Sequence, residues 1–153
     1  MNYFERFLSP SDRFRSTHDL AALGKDALPI LEALFDGSAR NAFGVPYRSI
    51  GAIGYGYVTV KLLGVLAKPL EVHILQGIKE RDPYAIEAAG YLGDIESETA
   101  RALAISLLQD STSDAAASLV RTGQADNSVV VDTLVVNPAA IAALLKAKSN
   151  LAR

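Results

Sequence analysis

The chain has 153 residues, of which 50% are hydrophobic and 21% are charged, and it contains no cysteine. This composition is typical of one globular domain, and it excludes an intrinsically disordered chain, disulfide bonds and cysteine-bound metals. The net charge is −2, with +2 in residues 1–81 and −4 in residues 82–153. A general nucleic-acid binder needs a basic face, so this charge argues against nucleic acid as the partner.

The first part of the chain predicts a cap followed by two helices. Residues 1–17 form the predicted N-terminal cap, which contains a short aromatic helix from Tyr3 to Leu8. Helices are then expected over 19–23 and 26–35, because apolar residues recur at helical spacing on either side of Gly24.

An irregular insertion loop follows at residues 37–49. It contains Gly44 and Pro46, and insertions in repeat arrays often form the binding face. The next stretch, 50–67, is the most apolar part of the chain, but it holds four glycines and has Lys61 at its centre. It therefore predicts a buried pair of helices and no membrane span.

Glycines recur at a regular interval through the middle of the chain. Gly64, Gly93 and Gly123 are 29 and 30 residues apart, and a fixed period of this length is typical of stacked helical hairpins. A glycine suits the end of a helix because it adopts the left-handed backbone conformation without a steric clash. The clearest unit is 82–110, in which Asp82 is the predicted cap of the first helix. The second helix of this unit has an inward apolar stripe, formed by Ala100, Leu103, Ala104, Leu107 and Leu108.

The last part of the chain is predicted to be helical, although its composition partly favours a strand. Residues 129–135 are rich in valine, which has a high strand propensity. The repeat register nevertheless places a helix there. Asn137-Pro138 then repeats the pattern of Asp82-Pro83, so a C-terminal capping helix is expected over 138–148.

Two segments resemble HEAT-type repeats. They are residues 22–36, from Ala-Leu-Gly-Lys to Ala-Leu-Phe-Asp, and residues 91–110, from Tyr-Leu-Gly to Leu-Leu-Gln-Asp. The period near 30 is similar to the short HEAT-like repeats of phycobilisome lyases, and the resemblance covers roughly residues 18–135. It implies an all-α fold, a right-handed α-solenoid (an α–α superhelix) of about four helical hairpins, in one domain over 1–153. Members of this family are mostly protein-binding scaffolds, with a few lyases and one DNA-glycosylase branch.

Tyrosines concentrate around the insertion loop and the two middle units, close to two arginines. Tyrosine and arginine together are the composition of protein-binding hot spots. Tyr55 and Tyr84 occupy equivalent positions of successive units, so we expect them side by side on one surface. The alternative is that these rings fill a core that the insertion loop widens. The predicted binding residues are Arg40, Tyr47, Arg48, Tyr55, Tyr57, Tyr84 and Tyr91.

No residue pattern predicts catalysis, a metal ion or a cofactor. His18 and His73 have no partner at metal-binding spacing. Residues 51–56 have the order Gly-x-x-Gly-x-Gly, which differs from a phosphate-binding loop and predicts close helix packing instead. Carboxylates favour helix starts, so the acidic run at 94–98 is expected to lie at one, and the alternative is an acidic contact patch.

The sequence therefore predicts a non-enzymatic protein-binding module in a bacterial-type cytoplasm, for instance an immunity or adaptor protein that covers a partner's site. A second hypothesis is a small-ligand protein, or a lyase-like or glycosylase-like enzyme, that uses residues 37–49 as a lid. That hypothesis requires a deep pocket with convergent polar groups near Arg40, Arg48 and His73. A third hypothesis is self-assembly, in which the helix at 138–148 pairs two copies in a homodimer.

Overall fold

The structure, a computed structural model, describes residues 2–111 and 113–152. The regular structure of these residues is all helical, without a β-strand, and an isolated bridge joins Arg40 to Pro46. Short 3₁₀ helices lie at 24–26, 47–49 and 64–70. The α-helices, numbered in chain order, are α1 Tyr3–Phe7, α2 Arg13–Ala21, α3 Ala27–Asp36, α4 Ile53–Leu63, α5 Glu71–Lys79, α6 Pro83–Ala89, α7 Ser97–Gln109, α8 Ala115–Arg121, α9 Ser128–Leu134 and α10 Pro138–Leu151.

The helices pack in two rows. In one row α2 contacts α4, α4 contacts α6, α6 contacts α8 and α8 contacts α10. In the other row α3 contacts α5, α5 contacts α7 and α7 contacts α9. Contacts between the rows join α5 to α6 and α7 to α8, while α1 packs on α2. Each helix from α2 to α8 therefore contacts the helix two places later in the chain.

The hydrophobic core lies between these rows. Leu103 and Leu107 of α7 are fully buried, as the predicted apolar stripe requires, and Leu108 is half-buried beside them. Ile74 and Ile78 of α5 are buried at the same helical spacing. Burying one such side chain stabilises the fold by about 1.5–3 kcal/mol, so these stripes explain why short helices of 7 to 14 residues persist.

The valine-rich segment is helical, as the repeat register predicts. The side chain of Asn127 accepts a hydrogen bond from the backbone N–H of Val129 at 2.9 Å and so caps α9. Val130 and Leu134 lie one turn apart and are buried, and α9 packs against α7. Tertiary packing therefore outweighs the local strand propensity. Asn137 caps α10 by accepting a hydrogen bond from the backbone of its first turn.

The repeat glycines all have positive φ values, although Gly64, with ψ −131°, is outside the left-handed helical conformation. Gly64, Gly93 and Gly123 have φ values of 62°, 81° and 72°. Helix α4 ends directly before Gly64. Helix α6 differs because it ends at Ala89 and a separate turn then leads to Gly93.

Helix α2 begins earlier than the sequence predicts. It starts at Arg13 instead of residue 19, and it crosses the predicted boundary of the N-terminal cap at residue 17. Residues 13–18 are mostly polar and therefore show no apolar stripe. Ser16 and Thr17 are nevertheless buried, because each hydroxyl donates a hydrogen bond to a backbone carbonyl oxygen.

Helix α10 is longer than predicted and continues to Leu151 instead of residue 148. Its 14 residues make it the longest helix among those described. Across residues 2–111 and 113–152, none of the helices combines the length and apolar character that crossing a bilayer requires.

Candidate functional site

The insertion loop is held in shape by its own hydrogen bonds. The side-chain oxygen of Asn41 accepts hydrogen bonds from the backbone N–H groups of Phe43 at 2.9 Å and Val45 at 3.0 Å. The guanidinium of Arg40 donates to the carbonyl oxygen of Gly44 at 2.8 Å. The loop is therefore ordered by local contacts and does not need a partner to fold.

Phe43 lies at the tip of this loop and is 91% exposed. Val45 in the loop and Ile50 just after it are also exposed. Single exposed apolar residues are common, but here Phe43 and Val45 lie on one ordered turn and Ile50 follows within eight residues of Phe43. Phe43 is absent from the predicted binding residues because a loop position carries no periodic signal. The turn-forming pattern Asn-Ala-Phe-Gly, with an aromatic residue at its tip, is the signal that could have found it.

Tyr47 and Arg48, two of the predicted binding residues, fasten the insertion loop to the helices. Tyr47 is 3% exposed, its hydroxyl donates a hydrogen bond to Glu5, and its ring centre lies 5.4 Å from that of Phe4. Burial raises the pKa of Tyr47, and the hydrogen bond with Glu5 raises it further. The guanidinium of Arg48 donates to the carbonyl oxygen of Phe35. Both side chains hold the base of the loop, and Tyr47 offers no surface to a partner.

The rings of Tyr57 and Tyr55 pack among other side chains, as the core-filling alternative predicts. Tyr57 is 2% exposed and stacks on Phe35, with ring centres 5.0 Å apart. Burial raises the pKa of Tyr57 far above its ordinary value, and the charges of Asp82 and Glu80 add to this shift. Tyr55 is half-buried beside aromatic rings of α1 and α2, and its hydroxyl accepts a hydrogen bond from an arginine of α2 at 2.8 Å.

Tyr84 is the most accessible of the predicted tyrosines, at 49% exposure. Its ring packs over Gly54 of the preceding unit, where an added Cβ would lie 3.1 Å from Tyr84 Cδ2. Gly54 adjoins Tyr55 in α4, so the two tyrosines are on neighbouring helices. They do not form one shared surface, because Tyr55 packs against α1 and α2.

The Tyr91 ring lies between two cationic side chains, which come from α4 and α8. Lys61 Nζ of α4 lies 5.2 Å from the centre of the Tyr91 ring, and Arg121 Cζ of α8 lies 4.9 Å from it. Lys61 also pairs with Glu87 of α6, and this hydrogen bond raises the pKa of Lys61. Cation–π contacts of this kind stabilise by about 0.5–1 kcal/mol at exposed sites. Tyr91 therefore has a structural role in joining successive helices of one row.

His73 pairs with a carboxylate, His18 lies in the last turn of α2, and the acidic run lies at a helix start. His73 Nε2 lies 2.9 Å from Glu32 Oε1. In the part of the chain that the structure describes, no group of three or more histidine, aspartate or glutamate side chains could hold a metal ion. Glu96 is the N-cap residue directly before α7, and Glu98 lies in the first turn of α7 and pairs with Lys79 at 3.4 Å, so the acidic run lies at a helix start as predicted.

Two pockets lie away from the arginines of the insertion loop. One has a volume of about 480 Å³ and lies between the α5–α6 turn and the α7–α8 turn. The other has a volume of about 200 Å³ and is a mainly apolar groove between α9 and α10. Neither pocket is lined by Arg40, Arg48 or His73, the residues that the lid hypothesis requires.

Comparison with known proteins adds no relative. No protein-family model matches the chain, and no curated protein or solved structure is significantly similar to it. The HEAT-like resemblance of residues 22–36 and 91–110 therefore stays a prediction.

Proposed function

We propose that the chain is a right-handed α-solenoid of four HEAT-like hairpins, which pair α2 with α3, α4 with α5, α6 with α7 and α8 with α9. The contacts between each helix and the helix two places later support this arrangement, because stacked hairpins produce that pattern. The positive-φ glycines at 64, 93 and 123 support the repeat spacing. Helix α10 then extends one row, as a C-terminal cap does.

The protein acts as a non-enzymatic protein-binding module, and an immunity or adaptor protein is the specific form of this proposal. The observation that carries it is the exposure of Phe43 on a loop that is already ordered. A preorganised aromatic side chain loses little conformational entropy on binding and buries a large apolar area. The partner is a protein with an apolar pocket that receives the Phe43 ring.

The first prediction concerns Phe43→Ala. We expect this variant to bind its protein partner about 30-fold more weakly, which corresponds to about 2 kcal/mol, because the ring is the central anchor of the interface. Its thermal stability should match that of the wild type, since the exposed ring contributes little to the core. The measurement is quantitative affinity capture from the native cell, followed by titration of the captured protein.

The matched control is Phe14→Ala. Phe14 is 64% exposed on α2, away from the insertion loop, so its removal should leave partner binding unchanged. Equal capture by the wild type and by Phe43→Ala would contradict the assignment of the loop as the binding element.

The lid hypothesis has weaker support. It assigns Arg40 and Arg48 to a ligand, whereas both guanidinium groups donate to carbonyl oxygens of their own chain. These bonds favour a structural role for the two arginines and a fixed loop.

Self-assembly is a second candidate function, favoured by the exposed apolar end of the helix rows. Val135 is 62% exposed and Leu145 is 60% exposed beside the groove between α9 and α10. Repeat arrays need a polar outer face at each end to stay soluble.

The second prediction is that Leu145→Asp abolishes this association. A buried aspartate at the centre of an apolar interface is strongly unfavourable. Light scattering at several concentrations should show a dimer for the wild type and for Phe43→Ala, and a monomer for Leu145→Asp. A wild-type protein that stays monomeric at millimolar concentration would rule out the homodimer.

A further inference from the structure

The pocket between the α5–α6 turn and the α7–α8 turn has the size of a small-molecule site. Its volume of about 480 Å³ lies within the range that ligand pockets occupy. Pro83 and Ile86 form an apolar wall, and the remaining lining is polar, including Arg81, Ser106 and Asp114. The protein-binding function proposed above does not use this pocket, which is lined by none of the insertion-loop residues.

Ser106 is the first observation that points to a ligand. It is 5% exposed and lines the pocket, yet its hydroxyl has no hydrogen-bond partner within residues 2–111 and 113–152. No side-chain nitrogen or oxygen atom of the described residues is both fully buried and unpaired, so the Ser106 hydroxyl is open to the pocket, where a polar ligand atom can reach it. The other buried serine and threonine hydroxyls of the described chain all donate a hydrogen bond; they belong to Ser16, Thr17, Thr59, Thr99, Ser118 and Thr122.

Arg81 is the second observation. It has a φ of 61°, which is the left-handed conformation that a residue with a Cβ adopts at a cost in free energy. The turn that ends α3 uses a glycine, Gly37, for the same conformation. The guanidinium of Arg81 forms no ion pair within the described part of the chain. A glycine at position 81 would relieve this backbone strain, yet the chain has an arginine there, beside the pocket.

Asp114 supplies the opposite charge. It lies at the start of α8, and its side chain makes no capping hydrogen bond there. A guanidinium recognises a carboxylate through paired hydrogen bonds, while a carboxylate pairs with an ammonium group. A pocket that holds both charges near an unpaired hydroxyl fits a small molecule with both charges of its own.

We propose that this pocket binds a zwitterionic molecule of the amino-acid or dipeptide class. Arg81 binds the ligand carboxylate, Asp114 binds the ligand ammonium group, and Ser106 hydrogen-bonds to a polar atom of the ligand. Pro83 and Ile86 contact the apolar part of the ligand. This binding site is separate from the insertion loop.

The third prediction uses two variants that should stabilise the fold and weaken binding. Arg81→Gly removes the backbone strain, and Ser106→Ala places a better helix former inside α7, so each should raise the Tm by roughly 2–4 °C. Each should also lower the affinity for the zwitterion by about tenfold or more, because each removes a binding group. The probes are the common L-amino acids and their dipeptides with glycine, measured by ligand-induced Tm shift and by isothermal titration calorimetry.

Matched controls separate binding from folding. Ser118→Ala removes a buried hydroxyl that donates to the carbonyl oxygen of Ile86 at 2.7 Å, so it should lower the Tm. Phe43→Ala should bind the zwitterion as the wild type does, so failure at this pocket and failure of the protein-binding proposal are distinguishable. Cadaverine and glutarate, which lack the carboxylate of lysine and the ammonium of glutamate, should bind at least tenfold more weakly than those amino acids.

Three results would overturn the proposal. The first is that no amino acid or dipeptide shifts the wild-type Tm. The second is that Arg81→Gly binds the zwitterion as tightly as the wild type. The third is that cadaverine or glutarate binds as well as the corresponding amino acid, which would refute the zwitterionic class.

Discussion

Gly77→Ala should lower the free energy of unfolding by about 3 kcal/mol, a large effect for one methyl group. Gly77 lies in α5 where α4 and α6 approach it most closely. A Cβ at this position would lie 2.5 Å from the hydroxyl oxygen of Tyr57 and 2.6 Å from Cβ of Ala85. Tyr57 and Ala85 are both buried, so neither atom can move without shifting a helix. Without a clash, alanine would stabilise the helix by about 1 kcal/mol relative to glycine. A measured loss of stability would therefore show that the packing clash outweighs this gain.

Urea unfolding followed by circular dichroism measures this change. Gly54→Ala is the matched control, because Gly54 also lies in a helix and would contact an exposed ring, that of Tyr84, at 3.1 Å. An exposed ring can rotate away, so the free energy of unfolding of Gly54→Ala should be equal to that of the wild type or up to about 1 kcal/mol higher. If Gly77→Ala were as stable as the wild type, α4, α5 and α6 could not pack as closely as the structure shows.

The helices that the sequence predicts well are those whose apolar stripe and end signals agree. Helix α7 has both the stripe of Leu103 and Leu107 and a start beside carboxylates, and its position follows from the pattern. Helix α2 lacks such a stripe, because its buried Ser16 and Thr17 are polar and depend on hydrogen bonds that appear only after folding. The glycine-rich stretch at 51–56 allows close helix packing, as predicted. At Gly56 an added Cβ would lie 2.5 Å from Leu34 of α3.

The candidate site is harder to predict because composition does not report burial. Tyr47 and Tyr57 match a binding hot spot in residue type, yet both pack in the core around the insertion loop. Phe43 is the exposed aromatic residue of that loop, and only the turn formed by Asn41 places it at the tip. The unpaired hydroxyl of Ser106 is likewise invisible in sequence, because its lack of a partner depends on how the neighbouring turns meet.

Glu71 should produce the second large effect, because it joins α5 to the start of α7. It is the first residue of α5 and is 8% exposed. One carboxylate oxygen accepts hydrogen bonds from the Thr99 hydroxyl at 2.6 Å and from the backbone N–H of Glu96 at 2.9 Å, so it caps the start of α7. The other oxygen pairs with Lys68. Glu71→Ala leaves these groups without an acceptor and should lower the free energy of unfolding by about 2–3 kcal/mol.

Glu71→Gln separates the cap from the charge. A glutamine carbonyl oxygen can still accept from Thr99 and Glu96, but its amide group cannot pair with Lys68. We therefore expect about half of the loss seen for Glu71→Ala. Equal losses in the two variants would show that the capping bonds to α7 contribute nothing.

The pH dependence of stability tests the same network. Burial alone would raise the pKa of Glu71, but the hydrogen bonds from Lys68, Thr99 and Glu96, together with the charge of Lys68, outweigh it and hold the pKa below its ordinary value of 4.5. A carboxyl group whose pKa is lowered in the folded state stabilises the fold above the pKa of the unfolded chain, and this stability is lost as the pH falls through the lowered pKa. The stability difference between the wild type and Glu71→Gln should thus be constant between about pH 6 and 7 and shrink below about pH 4.5. Urea unfolding of both proteins across this range measures it, and a difference that stays constant at low pH would show that the charge of Glu71 does not stabilise the fold.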